Sequence, residues 1–424
     1  MAIAESLADA DVRPERTRFD NGLTVCSVHV PGVRSVSMGA WVRSATAHEA
    51  AEQMGISHLL EHMVFKGTAR RDARTLALAL EVRGGSLDAY TAREHTSFEA
   101  RILPADLSLA CDVLGDLLFE PLLSAADLAL EHKVVLEEIA TAEETPEDIV
   151  FDLHAEALWG THPYGFPILG TPETVPAIDT AALRARHRAA YVPNDIVVAA
   201  AGDVTHAALV AALRQHGWEA RVPGADVRRA VPAAASPAPA SHFVERDLTQ
   251  VHVVLGAPAL PHGHPLRYAL AIASNALGGG MSSRLFQRVR EELGLAYAVY
   301  TFSSAYAQGG MHGMYVASAE ESARDAVDVI REELERLSRD GLDATEVADG
   351  RAQLKGQVVL GLEGSGAHMA RAAAPDVHGE PYRSLDDVLT EIDAVTSDDI
   401  AQVCAQMLTP AQQTILSLGP RAAA

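Results

Sequence analysis

The stretch Ile56-Ser57-His58-Leu59-Leu60-Glu61-His62-Met63-Val64-Phe65-Lys66-Gly67-Thr68 decides how the chain is read. His58 and His62 stand four residues apart, so on an α-helix both imidazoles project from one face and can reach one ion, with the Glu61 carboxylate beside them. Ser57 is the expected N-cap, Lys66 falls in the last turn and Gly67 follows, which predicts one short helix of about three turns. Such a helix is either a zinc-hydrolase site carrying its own base or an amphipathic helix whose histidines face water. A third ligand is needed to choose.

At 424 residues the chain exceeds the usual size of a single core, so two or more domains are expected, with ample apolar content to bury. Its 34 Lys+Arg against 57 Asp+Glu give a net charge of -23, which disfavours nucleic acid as a partner. Cys26, Cys111 and Cys404 are far apart and form no Cys-x-x-Cys pair, which argues against a disulfide framework or a thiolate zinc site and makes a reducing cytoplasm the simplest compartment. Residues 1–11 include Glu5, Asp9 and Asp11 and no apolar core, unlike a secretory signal or an Arg-rich transit peptide. No stretch is long and apolar enough to span a bilayer, so no membrane partner is expected.

Around the histidine helix, Asn21-Gly22 offers a tight turn before an apolar strand, and 35–43 reads as a further strand. A helix over 75–82 ends at Gly84-Gly85, strands follow at 86–91 and 96–103, and another helix runs over 106–118. The segment 222–241, rich in Pro and Ala, reads as a linker, dividing the chain into 1–221 and 242–424. The order strand, strand, helix in 85–118 recurs in 294–337, with Tyr90-Thr91 and Tyr300-Thr301 in the first strand of each. The fold expected is therefore α+β, built from two similar domains, with two unrelated domains as the competing reading.

The third ligand must come from an element that packs beside the first helix. Ser124-Ala125-Ala126-Asp127 opens a helix with a capping-box-like start, and that helix carries Glu131, Glu137 and Glu138. Seven residues is nearly two turns, so Glu131 and Glu138 share a face, with Val134 and Val135 expected on it, while Glu137 points away to solvent. Carboxylates directed inward need a cation. Glu138 as metal ligand and Glu131 as the carboxylate behind it meet that need; a plain surface helix with three acids is the competing reading.

Several segments together resemble the inverted-motif zinc peptidases, the family of pitrilysin, insulin-degrading enzyme and the mitochondrial processing peptidase, and in particular its half-length members. They are the 58–65 helix with Lys66-Gly67-Thr68, Ala89-Tyr90-Thr91-Ala92-Arg93-Glu94, Val134-Val135-Leu136-Glu137-Glu138, Ile168-Leu169-Gly170-Thr171, Tyr191-Val192-Pro193-Asn194, and 198–204 ending in Ala-Gly-Asp-Val. Asp88 departs from the pattern, since such strands often carry Asn. The resemblance implies one Zn2+ per subunit on His58, His62 and Glu138, with water in the fourth position and Glu61 as base and then acid. It makes each domain a mainly antiparallel sheet packed against helices, with 1–221 the zinc-binding catalytic domain and 242–424 its homologue.

Gly278-Gly279-Gly280 before a helix lacks the Gly-Lys-Ser/Thr ending of a phosphate loop. The more telling segment is Arg290-Glu291-Glu292-Leu293-Gly294-Leu295-Ala296-Tyr297. By resemblance, Arg290 holds substrate backbone and Tyr297 supports the developing oxyanion; without it, they read as a surface charge and a core aromatic. The resemblance also implies a dimer, homodimeric or formed with a related chain, in which each site takes Arg290 and Tyr297 from the partner. Substrate would add as a strand beside Leu87, Asp88, Ala89, Tyr90 and Thr91. The function expected is a zinc endopeptidase of peptides or unfolded and leader segments, and the alternative is a non-catalytic structural or partner subunit of a heteromeric peptidase. The net charge of -23 fits attraction of basic peptides and solubility equally well.

Overall fold

The computed structural model describes residues 13–225, 230–235 and 237–423. The reading of residues 1–11 as no targeting signal thus lies outside the described residues. The chain forms two compact units that interleave in sequence: unit 1 comprises the described residues up to Ile139, Pro167–Val231 and Leu360–Asp386, and unit 2 comprises Ala140–Phe166, Pro232–Val359 and the residues from Asp387 on. The expected division at 222–241 corresponds to only one of the crossings, at Val231/Pro232. Two helices explain the others, because each is apolar on a face that covers the sheet of the unit it joins.

Unit 1 is built on a six-stranded sheet with the order β1-β2-β6-β3-β5-β4, where β1 is Glu15–Arg18, β2 Thr24–His29, β3 Val36–Val42, β4 Ser86–Thr91, β5 Thr96–Ile102 and β6 Ile196–Gly202. All its pairings are antiparallel except β2 with β6. The Asn-Gly turn forms as expected: Arg18 pairs with Thr24, Asn21 accepts the Leu23 amide through its side chain at 3.1 Å, and Gly22 takes φ 89°. A Cβ on Gly22 would sit 2.7 Å from the Asn194 Cβ, so the turn needs glycine twice over.

Its helices are α1 (Ile56–Val64), α2 (Ala73–Glu81), α3 (Leu107–Phe119), α4 (Ala125–Glu143), α6 (Thr180–Ala190) and α7 (His206–Gln215), while α5 (Pro146–Trp159) joins unit 2. One sheet face and these helices enclose a core that includes Val36, Met38, Ala40, Leu59, Leu60, Met63, Phe98, Leu114 and Val135. The opposite face, with Cys26, Trp41 and Ala199, is covered by Met369, Ala372 and Ala373 of a helix from the far end of the chain, Ser365–His378.

Unit 2 repeats this plan with the order β7-β11-β8-β10-β9, where β7 is Ser241–Glu245, β8 Val251–Ala259, β9 Ala296–Ala305, β10 Gly310–Ser318 and β11 Thr414–Gly419. Again one pair is parallel, β11 with β7, and the rest are antiparallel. Its helices include α8 (Arg267–Gly278), α9 (Ala323–Asp340) and α10 (Ala344–Leu360). Tyr90-Thr91 and Tyr300-Thr301 lie on β4 and β9, the corresponding edge strands, so the short repeat marks a duplicated topology. Here α5 covers the face bearing Val254, Tyr315, Leu416 and Leu418. Neither covering helix is adjacent in sequence to the strands it covers, which is why a single contiguous boundary does not describe the units.

Two buried histidines make unit 2 sensitive to acid. His154 on α5 bonds the Thr414 carbonyl oxygen at 3.1 Å and fills space that a Cβ on Gly256 would enter, and His312 on β10 has both ring nitrogens buried with no hydrogen-bond partner. Burial pushes both imidazoles down to about 4 from an ordinary 6.5. Between those values the unfolded chain holds the protons and the native chain does not, so stability is retained above 6.5 and falls as pH drops towards 4. Each group costs on the order of 3 kcal/mol across that window, a large share of a domain's net stability. Urea unfolding at about pH 7.5 and about pH 5 measures the slope, and His312→Leu is expected to flatten it.

Candidate metal centre

Helix α1 is buried along most of its length, and its nine residues divide by side-chain direction. Ile56, Leu59, Leu60, Met63 and Val64 enter the core of unit 1, while His58, Glu61 and His62 project from the other face. The helix begins two residues earlier than expected: Gly55, at φ 89°, is the N-cap, and Ser57 lies inside the first turn. A Cβ at Gly55 would stand 2.6 Å from the Leu169 carbonyl oxygen, and one at Gly170 would stand 2.5 Å from that of Met54. The Ile168-Leu169-Gly170-Thr171 segment therefore packs backbone to backbone against the start of α1, and the close approach selects glycine on both sides.

Helix α4 supplies the carboxylates. Leu128, Glu131, Val135 and Ile139 form its buried stripe, Glu138 is partly open, and Glu137 is exposed as expected. Val134 is exposed, contrary to its expected place on the inward face, because it lies on the flank of Glu131 away from Val135 and the turn rotates it out of the stripe. Ser124 caps the helix by accepting the Asp127 amide at 3.1 Å, and it donates to the Asp127 carboxylate.

The Glu138 Oε2 atom lies 3.6 Å from His58 Nε2 and 3.6 Å from His62 Nε2. The three donors lie mutually within 4.8 Å. A tetrahedral ion bound at about 2.1 Å to imidazole nitrogen and carboxylate oxygen separates its donors by about 3.4 Å, so this set fits zinc with little adjustment. Burial, with the neighbouring His62 adding, pushes His58 down to about 4, which keeps its ring neutral and able to offer a lone pair. Three protein donors leave one coordination position open, the arrangement of catalytic rather than structural zinc.

Behind the donors, Glu131 is 3% exposed and its Oε2 lies 3.1 Å from His62 Nδ1. The other oxygen, Oε1, meets the Lys66 ammonium at 2.6 Å, so Lys66 supplies the cation that this buried carboxylate needs. The pair fixes the His62 tautomer, with Nδ1 donating and Nε2 free to ligate. Glu131→Gln is expected to weaken metal binding by roughly 10–100-fold. Titration of the apo protein with zinc against a competing chelator measures it; an unchanged affinity would remove Glu131 from the centre.

Glu61 is 9% exposed and accepts a hydrogen bond from the Thr91 hydroxyl at 2.6 Å. Burial pushes its carboxyl above the ordinary glutamate range, held back by the Thr91 bond and by His62. Thr91 is the last residue of β4, the edge strand on which Leu87, Ala89 and Thr91 alternate with the more exposed Asp88 and Tyr90. Tyr191, whose motif carried no assigned role in the sequence, lies in the same environment: its buried phenol is pushed up by desolvation and then by Glu61.

Arg290 and Tyr297 belong to unit 2 and are brought together there. Arg290 lies on the π-helical turn Phe286–Glu292, donates to the Tyr297 carbonyl oxygen at 3.2 Å and stacks over that ring at 4.3 Å, with Tyr297 76% exposed. Unit 2 also contains a counterpart of the α1 face without its chemistry. Ser274 of α8 donates to Thr301 of β9 at 3.1 Å, a helix-to-edge-strand link placed like that of Glu61 and Thr91 but with the helix residue as donor. Counted from that anchor, Ala271 and Asn275 stand where unit 1 has His58 and His62, so this face offers no metal site.

Residues 24–172 match the family profile described as Insulinase (Peptidase family M16), and residues 177–354 match the profile described as Peptidase M16 inactive domain. An uncharacterized zinc protease of Mycobacterium tuberculosis is 38% identical over 405 residues, covering 94% of this chain and 92% of its own. Another, of Bacillus subtilis, is 34% identical over 400 residues, covering 93% of this chain and 96% of its own. Among solved structures, a peptidase M16 inactive domain from Pseudomonas fluorescens superposes with TM-score 0.89 at 20% identity, covering 97% of this chain and 99% of that one. A protease from Helicobacter pylori also gives 0.89 at 20% identity, covering 97% and 100%; at these identities the likeness is one of fold.

Proposed function

Because the chain belongs to the M16 peptidase family, we propose that it is a zinc-dependent endopeptidase that hydrolyses peptides or unfolded segments, leader sequences among them. The observation that carries this reading is the convergence of His58, His62 and Glu138 beside the buried Glu61 carboxylate. Names of relatives as zinc proteases agree with it.

His58 and His62 would hold the ion through their Nε2 atoms, Glu138 would contribute its charge, and Glu131 keeps His62 turned towards the centre. When bound, zinc supplies Lewis acidity, lowering the pKa of water and polarising a carbonyl oxygen. Glu61, raised by burial, takes a proton from the attacking water at its carboxylate and returns one to the leaving amine nitrogen, and Thr91 orients it for both steps. The outer edge of β4 has no paired strand among the described residues, so its backbone can take an extended peptide by strand addition beside Glu61. A folded substrate could not offer such a strand, which restricts cleavage to peptides and unfolded segments.

Arg290 and Tyr297 would bind substrate backbone and the developing oxyanion of a site in a second subunit, a homodimer or a pairing with a related chain. The experiment that tests the proposal is metal removal. Cleavage of a mixed peptide substrate is expected to stop on treatment with a chelator and to return on addition of zinc; cleavage that persists without metal would sink the proposal.

A further inference from the structure

The N-terminus of α1 is buried and its N-cap is a glycine, so no side chain at the cap can accept the free amide hydrogens of the first turn. Buried amides of this kind need acceptors, and here they come from outside the helix. Glu49, 2% exposed, accepts the Gly55 amide on Oε2 at 2.9 Å and the Ser57 amide on Oε1 at 2.8 Å. One carboxylate thus closes two open groups at the helix start, where negative charge also suits the helix dipole.

A buried carboxylate needs a counter-charge, and Arg186 of α6 provides it. Arg186 donates to the Ser57 hydroxyl and to the Ala45 carbonyl oxygen, each at 3.0 Å, so it grips the turn on both sides of Glu49. Burial pushes the Glu49 carboxyl up, and Arg186 is the leading influence opposing that. The residue after Ser57 is the metal donor His58. The 168–171 backbone packs against this helix start, and the Glu49 carboxylate is the group that binds its Gly55 and Ser57 amides, so a shift at Ser57 carries directly into the donor geometry.

We propose that Glu49, beside Arg186 at the same turn, is a positioning residue that seats the start of α1 and thereby sets His58 against His62 and Glu138. This rests on those three residues holding the metal. Glu49 touches neither metal nor substrate, and its effect passes through the Gly55 and Ser57 amides. Replacing it leaves buried donors open and lets the first turn move, whereas loss of an equally stabilising core side chain lowers stability without moving the donors.

The test compares zinc affinity, read by chelator competition on apo protein, among wild type, Glu49→Gln and Leu209→Ala, a core truncation on α7. Glu49→Gln is expected to weaken zinc binding by about 10-fold or more, as loss of a supporting contact does. Leu209→Ala is expected to lower Tm with zinc affinity unchanged. Equal zinc affinity in Glu49→Gln and wild type, or an equal loss in Leu209→Ala, overturns the inference. Amide exchange in wild-type apo protein gives a second reading that survives if Glu49→Gln does not fold. The Gly55 and Ser57 amides are expected to be protected, and exchange at free rates overturns the inference. A wild type that takes up no zinc overturns the metal assignment instead, and the amide measurement still decides the Glu49 contact.

Discussion

Glu138→Gln is expected to yield a folded protein that holds no zinc at stoichiometric metal and cleaves no peptide. The Glu138 carboxylate is the donor that stands 3.6 Å from both histidine Nε2 atoms, so it closes the triangle that the two residues of α1 leave open. An amide at that position keeps the size and loses the charge that balances a dication. The loss should exceed the roughly 10–100-fold cost of removing a supporting residue such as Glu131. Folding is expected to survive because Glu138 is partly exposed and the buried stripe of α4, Leu128, Val135 and Ile139, is untouched. Metal content by atomic emission with a circular dichroism melt checks both halves; full zinc occupancy in the variant would remove Glu138 from the donor set.

Glu61→Gln is expected to separate binding from chemistry. Its zinc content should match wild type, because Glu61 is not among the three donors, while the rate of cleavage falls by roughly 10²–10⁴-fold, the worth of a positioned general base. Glutamine can still accept the Thr91 hydroxyl, now 2.6 Å from the carboxylate, so the side chain stays in place and only proton transfer is lost. Single-turnover cleavage with enzyme in excess reads the chemical step. Loss of zinc together with activity would show that Glu61 holds the ion in place of acting as base.

Much of this centre was legible because its parts are local in sequence. The i, i+4 histidines and the seven-residue spacing of Glu131 and Glu138 follow from helical geometry alone, and each pair does share a face. The Asn21-Gly22 turn and the paired Tyr-Thr strands depend on short-range rules as well. What escaped depends on partners distant in the chain or on acceptors outside the element. Ser57 looked like a cap because cap signals are read from the residue itself, whereas the acceptor is Glu49, on a separate turn. The sequence places Lys66 as a last-turn cation, yet its ammonium pairs with Glu131, 65 residues on, which no periodicity encodes. The covering helices Pro146–Trp159 and Ser365–His378 meet strands far away in the chain, so only the folded chain tells which sheet each one covers.

We propose that peptide hydrolysis proceeds at the His58, His62 and Glu138 centre with Glu61 moving the proton. Digestion of a peptide library by purified wild type and purified Glu61→Gln, each loaded to one zinc per chain, tests it most directly. Cuts are expected from wild type, at positions that reveal whether basic residues are preferred, and none above background from the variant. Cleavage by Glu61→Gln at the wild-type positions and rate would contradict it.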